Sequence, residues 1–117
     1  MAILNKSAIL SAEDLRTETV AVPEWGGEVR VRTLTGTERD AFESGLVAED
    51  GKKRNLDNLR ARLLALAIVD ERGARIFNDG DAALLGGKSA AVLDRIFDIA
   101  QRLNGIGSQA ESAIEKN

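Results

Sequence analysis

The sequence predicts an α+β domain that is mainly helical, with an N-terminal β-hairpin followed by a small bundle of three to four helices. Two apolar patterns lead to this prediction. Early in the chain, apolar residues alternate with polar ones at the period of a strand, whereas later segments repeat them at three- and four-residue spacings typical of helices. The length of 117 residues is typical of a single domain.

The first 16 residues carry little pattern, and we expect residues 1–16 to form a flexible N-terminal segment. The run SAED at residues 11–14 leaves two alternatives, a single capped helical turn or a frayed chain end. We therefore predict that the globular domain spans residues 17–105.

The hairpin is predicted over residues 17–34. Its first strand is rich in β-branched residues and ends at Pro23, because proline cannot donate to a strand ladder. The glycine pair that follows Trp25 permits a tight turn. In the second strand, Val29 and Val31 share one face while arginines occupy the other. An isolated hairpin is marginal in water, so we expect the valine face to dock on helices.

Two helices are predicted after the hairpin. The first spans residues 36–47 and begins at a capping box, in which Thr35 and Glu38 stand three residues apart. The second spans residues 56–69 and is capped by Asn55. Because apolar residues cover most of its surface, we expect this helix to be central and contacted from more than one side.

The second half of the domain is predicted to be a turn followed by further helices. Residues 68–77 are interpreted as a turn between two short extended pieces. A short helix at residues 82–85 and a long helix at residues 89–104 follow, the latter capped by Ser89 and stopped by a glycine. Residues 106–117 are predicted to form a short polar C-terminal helix that is prone to fraying.

The composition excludes several classes of function. The chain contains no His and no Cys, so the usual zinc and copper ligands, thiol nucleophiles and the Ser-His-Asp triad are missing. The net charge of −3 disfavours a general nucleic-acid binder, whose affinity comes from neutralising phosphates. No apolar run reaches the roughly 18 residues of a spanning helix, and we see no signal peptide. We expect a cytoplasmic protein.

One short motif suggests a nucleotide-binding enzyme. The run GGKS at residues 86–89 resembles the end of a phosphate-binding loop, and this hypothesis predicts ATP affinity that is lost in Lys88→Ala. The phosphate-binding loop, however, needs a further glycine where this chain has Ala82. We therefore interpret the run as a junction between two helices.

A second hypothesis is a small regulatory or adaptor protein that acts on nucleic acid or its machinery. It rests on Arg30, on Arg32 and on the basic run at residues 52–54. A gel-shift titration at low salt would test it. Three charges on a loop are more often simply solvated.

Three further segments occur in a recognisable order and spacing. The first is VPEWGGEVRVRTLTGTERD at residues 22–40. The second is DERG at residues 70–73, followed by Ile76 and Phe77, and the third is RLNGI at residues 102–106, followed by SQAE. Together they resemble tail assembly chaperones of long-tailed, siphovirus-type bacteriophages or prophages, and the resemblance covers residues 17–117.

The resemblance implies a non-enzymatic protein that acts in the cytoplasm of the bacterial host and is absent from the mature virion. Such a chaperone binds the long tape measure protein, keeps it soluble and helps recruit tail tube subunits around it. The resemblance also implies a longer frameshifted form, of which this chain would be the short version. Because one client needs several copies, we expect self-association as a homo-oligomer. We expect no nucleic-acid partner, no membrane partner and no cofactor.

Contacts with the client are predicted from residue type alone. Trp25 lies beside the glycine pair at the hairpin tip, where it is either a core residue folded over the helices or a partly exposed anchor, since Trp is enriched in binding hot spots. No catalytic, cofactor-binding or metal-binding residue is predicted. The partner-binding candidates are Trp25, Phe42, Phe77 and Phe97.

Overall fold

A computed structural model describes residues 2–47 and 54–106 of the chain. Two sequence-based predictions lie outside these residues: most of the C-terminal helix at 106–117, and the first two positions of the basic run at 52–54. Within the described ranges, no helix is long and apolar enough to cross a membrane.

The chain forms a three-stranded antiparallel sheet in the order β1-β2-β3. Strands β1 (Thr17–Val22) and β2 (Gly27–Arg32) pair as the predicted hairpin, and the short 3-10 helix Pro23–Trp25 joins them. Gly26 completes the turn at a φ of 79°, in the left-handed region that glycine adopts without strain. Strand β3 (Ile68–Val69) adds to the free side of β2.

Five helices accompany the sheet in the described part of the chain, which confirms the predicted α+β class with an N-terminal hairpin. The first helix lies within the segment expected to be flexible, and the second and third are shorter than the predicted ranges 36–47 and 56–69. They are α1 (Lys6–Ser11), α2 (Gly36–Ser44), α3 (Leu59–Ala67), α4 (Ala82–Leu85) and α5 (Ala90–Asn104).

Helix α3 begins three residues later than predicted because Asn55 does not cap it. The Asn55 side-chain oxygen accepts a hydrogen bond of 3.2 Å from the Asp57 amide, which forms a local turn instead. Asn58 then adopts a left-handed conformation, with a φ of 51°, directly before Leu59. Asparagine is one of the few residues that tolerates this region. The helix ends at Ala67, where the next two residues leave it to form β3.

The start of α2 and the end of α5 follow local sequence signals, whereas Ser89 stands at the N-cap position of α5 without a side-chain hydrogen bond to the helix, contrary to the prediction that it caps it. The Thr35 side chain accepts a hydrogen bond from the Glu38 amide and the Glu38 carboxylate accepts one from the Thr35 amide, which confirms the capping box. At the end of α5, Gly105 is left-handed, and the Gly105 and Ile106 amides donate back to the last turn of the helix. This is a Schellman motif, which satisfies carbonyls that the helix leaves free.

The core lies between the sheet and the helices. Helix α5 packs against both strands of the hairpin and against α3. Helix α3 is central, as predicted, since six of its nine residues are buried. The largest fully buried side chains are Leu63, Leu64, Ile68, Ile96, Val22, Val31, Val69 and Val92.

Candidate protein-binding surfaces

The four aromatic candidates all touch the same core but stand on different parts of the fold. Phe42, on α2, is only 5% exposed and is a core residue. Trp25 at the hairpin tip, Phe77 after β3 and Phe97 on α5 are half-buried and pack against that core from its edges. The structure therefore leaves three of the four with surface that a partner protein can reach.

Two contacts fasten the hairpin tip to the neighbouring helices. The Lys88 ammonium lies 5.9 Å from the centre of the Trp25 ring, a distance at which a cation is attracted to an aromatic face. On the other side, the Arg95 guanidinium donates two hydrogen bonds, of 2.8 and 2.5 Å, to the carboxylate of Glu24. These hydrogen bonds, helped by one from the backbone, lower the pKa of Glu24 to about 2, and they raise the pKa of Arg95.

An apolar groove of about 240 Å³ lies between α2, α3 and α4. Phe42 and Leu66 contribute its large apolar side chains, and Arg62 and Asp79 are its polar lining residues. Arg62 is held in place by hydrogen bonds of 2.6 Å to the carbonyls of Gly45 and Asn55. The remaining lining is small: Ala41, Gly45, Ala65 and Ala82. We name this feature the α2–α4 groove.

The N-terminal arm, residues 2–16, carries a second apolar surface. Asn5 caps α1 by accepting a hydrogen bond of 2.9 Å from the Ala8 amide. None of the six residues of α1 is buried, and the apolar side chains on and before the helix face solvent. Their exposed fractions are 99% for Ile3, 61% for Leu4, 56% for Ile9 and 74% for Leu10.

The α2–α4 groove and the arm are not among the candidates found from the sequence. Three of the eight residues that line the groove are alanines on separate helices, and the sequence does not indicate that these helices meet there. One residue in the sequence indicates the helix of the arm. Asn5 directly precedes α1, and asparagine is a preferred N-cap residue. The groove and the exposed side chains of the arm are thus two further apolar surfaces available for protein contacts.

A family model described as phage tail assembly chaperone matches residues 4–116. The chain belongs to this family. Among solved structures, the chaperone is similar to the tail assembly chaperone of bacteriophage HK97, at 23% sequence identity and a TM-score of 0.60, over 83% of this chain and 90% of that one. At this identity the likeness shows a shared fold. A comparison with curated proteins gives no match.

Two of the charged residues behind the nucleic-acid hypothesis, Arg30 and Arg32, have structural partners in the chaperone. Arg30 donates a hydrogen bond of 3.1 Å to the Glu71 carbonyl, and Arg32 donates one of 3.2 Å to the Gly73 carbonyl. Both arginines thereby fasten the loop after β3 to the sheet. Arg30 lines an open cleft of about 700 Å³ on the outer face of the sheet, and Asp70 and Glu71 line the same cleft. This mixed charge gives no basic patch for phosphates.

The GGKS run lies at the junction between α4 and α5, as interpreted from its sequence. Lys88 faces the Trp25 ring, and no strand leads into the run as a phosphate-binding loop requires. Among residues 2–47 and 54–106, no group of three or more acidic, His or Cys side chains could hold a metal ion.

We predict that the hairpin tip of the chaperone is acid-sensitive. The pKa of Glu24 is lowered from 4.5 to about 2 in the folded chain, so the pair with Arg95 contributes stability above pH 4.5 and loses it as the pH falls to about 2. Trp25 is the single tryptophan and tyrosine is absent, so tryptophan fluorescence reports on the tip alone. We expect constant emission from pH 7 to pH 5 and a shift below pH 4.5.

Two variants separate this local change from acid unfolding. Glu24→Gln should show the shifted emission already at pH 7, with far-UV circular dichroism like that of the wild type. Glu18→Gln removes a second ion pair, which joins Glu18 on β1 to Arg102 on α5, the helix that also carries Arg95. This variant should leave the tryptophan emission unchanged. Equal emission from both variants at pH 7 would show that the ion pair does not hold the tip.

Proposed function

We propose that this chaperone binds the tape measure protein of its phage, keeps it soluble and helps recruit tail tube subunits around it. It does so without catalysis, in the cytoplasm of the infected or lysogenic bacterial host, and is absent from the mature virion. Its further partners are other copies of itself and a longer frameshifted form, with no nucleic acid and no membrane. The observation that carries the proposal is the family match over residues 4–116.

The surfaces of the chain suit such a client. A tape measure protein is long and helical, and its exposed apolar stripes need cover before the tube forms. Amphipathic helices bind by laying an apolar face into an apolar groove. The half-buried rings of Trp25, Phe77 and Phe97 and the α2–α4 groove, which Phe42 lines, provide apolar contact area on a domain whose net charge of −3 keeps it soluble.

Co-expression with the tape measure protein tests the function. We expect the soluble fraction of the client to rise several-fold when the chaperone is present, because covered apolar stripes no longer aggregate. An unrelated small acidic domain, expressed at the same level, is the control. If the client precipitates equally with the chaperone and with the control, the proposed function is wrong.

Single substitutions test the aromatic contacts. We expect Trp25→Leu and Phe97→Leu each to weaken capture of the tape measure protein by about tenfold or more, as truncation of a hot-spot ring does. Leu84→Ala is the matched control, because Leu84 is 74% exposed and lies outside the candidate set. Capture that is unchanged in both aromatic variants, with thermal unfolding near that of the wild type, would place the client elsewhere on the chain.

A further inference from the structure

The last residue of α5 carries a chemistry that the proposed function does not use. Asn104 is followed by Gly105, and none of the other asparagines is followed by a glycine. The main-chain nitrogen after an asparagine can attack the side-chain carboxamide and expel ammonia, which deamidates the residue. Glycine hinders this attack least because it has no side chain, and asparagine is one of the thermolabile residues of proteins. Asn104 therefore has the greatest intrinsic tendency to deamidate in this chain.

The fold restrains both of the groups that would react. The Asn104 side-chain oxygen accepts a hydrogen bond of 2.7 Å from the Leu34 amide, and its side-chain nitrogen donates one of 2.9 Å to the Ala100 carbonyl. This second bond holds the carboxamide against the preceding turn of the helix, away from the next residue. The attacking nitrogen, that of Gly105, donates its hydrogen to the Arg102 carbonyl at 3.3 Å. The folded turn is thus protected from deamidation.

The protection depends on the last turn of α5 alone. Gly105 is exposed, and its hydrogen bond of 3.3 Å is longer than usual for an amide and a carbonyl. One contact from outside the helix fastens the turn, because the Arg39 guanidinium on α2 donates a hydrogen bond of 3.0 Å to the Asn104 carbonyl. Helix ends open locally at a lower free energy than the whole domain unfolds. Opening of this one turn frees the carboxamide and the Gly105 amide together.

We propose that Asn104 is a site of spontaneous deamidation, and that opening of the last turn of α5 controls the reaction. In the open turn the Gly105 nitrogen gives its proton to water or hydroxide and attacks Cγ of Asn104. A new carbon–nitrogen bond closes a succinimide ring, the bond from Cγ to the side-chain nitrogen breaks, and that nitrogen takes up a proton and leaves as ammonia. Water then opens the ring at either carbonyl, which gives aspartate or isoaspartate. Water is the only co-reactant.

Either product weakens the junction that Asn104 holds. Both lack the nitrogen that donates to the Ala100 carbonyl, and both place a carboxylate at the C-terminus of a helix, where the helix dipole disfavours negative charge. Isoaspartate also adds one carbon to the main chain before Gly105, so the turn that ends α5 cannot close as before. The tie between α5 and Leu34, at the connection from β2 to α2, is then loosened. This modification is independent of client binding.

Peptide mapping by mass spectrometry tests the site in the full chain. The chaperone is incubated at pH 8 and sampled over time, and trypsin releases residues 103–116, in which deamidated Asn104 gives a mass gain and two products that chromatography separates. A sample taken at the start corrects for conversion during digestion. We expect the rate in buffer to be lower than that in guanidinium chloride by about tenfold or more. Equal rates in the two solvents would overturn the proposal.

Three variants test whether the last turn controls the rate. Arg39→Ala removes the hydrogen bond to the Asn104 carbonyl and should speed deamidation in buffer by about two- to tenfold, with no change in guanidinium chloride. Glu43→Ala is the matched control, because it breaks the exposed pair with Arg39 but leaves Arg39 in place, and it should react like the wild type. Ile96→Ala destabilises the whole domain, since Ile96 is fully buried, and should react more slowly than Arg39→Ala.

The variants also define the results that contradict the proposal. Deamidation that is fastest in Ile96→Ala would show that global unfolding, and not the last turn, exposes Asn104. Equal rates in Arg39→Ala and Glu43→Ala would show that the contact with the Asn104 carbonyl does not fasten the turn. Complete protection in buffer of both the wild type and Arg39→Ala would show that the turn does not open. Each of these three results would overturn the proposal.

Discussion

Replacing Glu38 by alanine is expected to lower the free energy of unfolding by about 1–3 kcal/mol, the usual cost of leaving a largely desolvated polar group without its partner. The Glu38 carboxylate accepts hydrogen bonds of 2.5 Å from the Arg32 guanidinium and 2.9 Å from the Thr35 amide. The two charged side chains are only 12% and 17% exposed. Alanine would leave the partly buried Arg32 with carbonyl partners alone and would also remove half of the capping box.

Two further variants divide this effect into its parts. Glu38→Gln keeps an oxygen that accepts from the Thr35 amide but lacks the charge, so we expect an intermediate loss. Glu43→Ala breaks an exposed pair with Arg39 on the same helix, and exposed pairs contribute at most about 1 kcal/mol. Urea unfolding at pH 7 measures all three. A loss in Glu38→Ala no larger than in Glu43→Ala would show that water replaces the missing carboxylate.

The same ion pair has a positional role in the fold. Arg32 ends β2, and the next residue, Thr33, exchanges hydrogen bonds with Arg16 at the base of the N-terminal arm. Glu38 joins this point to the first turn of α2, whose far end lines the α2–α4 groove. The pair therefore stabilises the region from which the arm leaves the domain.

Sequence patterns predicted the fold class because its determinants are mostly local. Alternating valines identify the hairpin, and three- and four-residue spacings identify the long helices. Helix caps can also be predicted where the hydrogen-bonded groups lie within a few residues of one another in sequence, as at Thr35 and Gly105. The start of α3 was misplaced because two asparagines compete there, and the left-handed Asn58 rather than Asn55 precedes the helix.

The extended piece at the start of residues 68–77 was predicted and is β3, but its place as the third strand beside β2 could not be read from local pattern. Ile68 and Val69 continue the apolar run of α3, and helical spacing alone extends the helix through them. Their pairing with Val31 and Arg30 spans almost forty residues of sequence, and such long-range pairing overrides a local preference. The loop that follows is then fixed to the sheet by Arg30 and Arg32, two residues that look like solvent-facing positions in the sequence.

The candidate surfaces were only partly predictable from the sequence, because the exposure of a side chain also depends on contacts with distant parts of the chain. Residue type singles out Trp25 and the phenylalanines, but burial decides how much of each ring a partner can reach, and Phe42 proves to be in the core. The arm shows the opposite case, since the sequence alone does not say whether Ile9 and Leu10 find cover within the domain. Exposure is a property of the whole fold, whereas a cap or a strand is a property of its own segment.

Core substitution should separate stability from client binding in this chaperone. We expect Ile96→Ala to lower the free energy of unfolding by about 2–5 kcal/mol, because Ile96 is fully buried and deletion of its side chain leaves a cavity between α5 and the hairpin. In a domain of this size, such a loss corresponds to a fall in melting temperature of about 10–20 °C. Leu84→Ala, at a highly exposed position, should stay within about 0.5 kcal/mol of the wild type.

The neighbouring residue makes the comparison informative. Phe97 is half-buried at the edge of the same core, so Phe97→Leu should cost less stability than Ile96→Ala while costing more client capture. Capture is measured at a temperature where both variants are fully folded by circular dichroism. If Ile96→Ala reduces capture as much as Phe97→Leu under those conditions, then the ring of Phe97 acts by supporting the fold and not by touching the client.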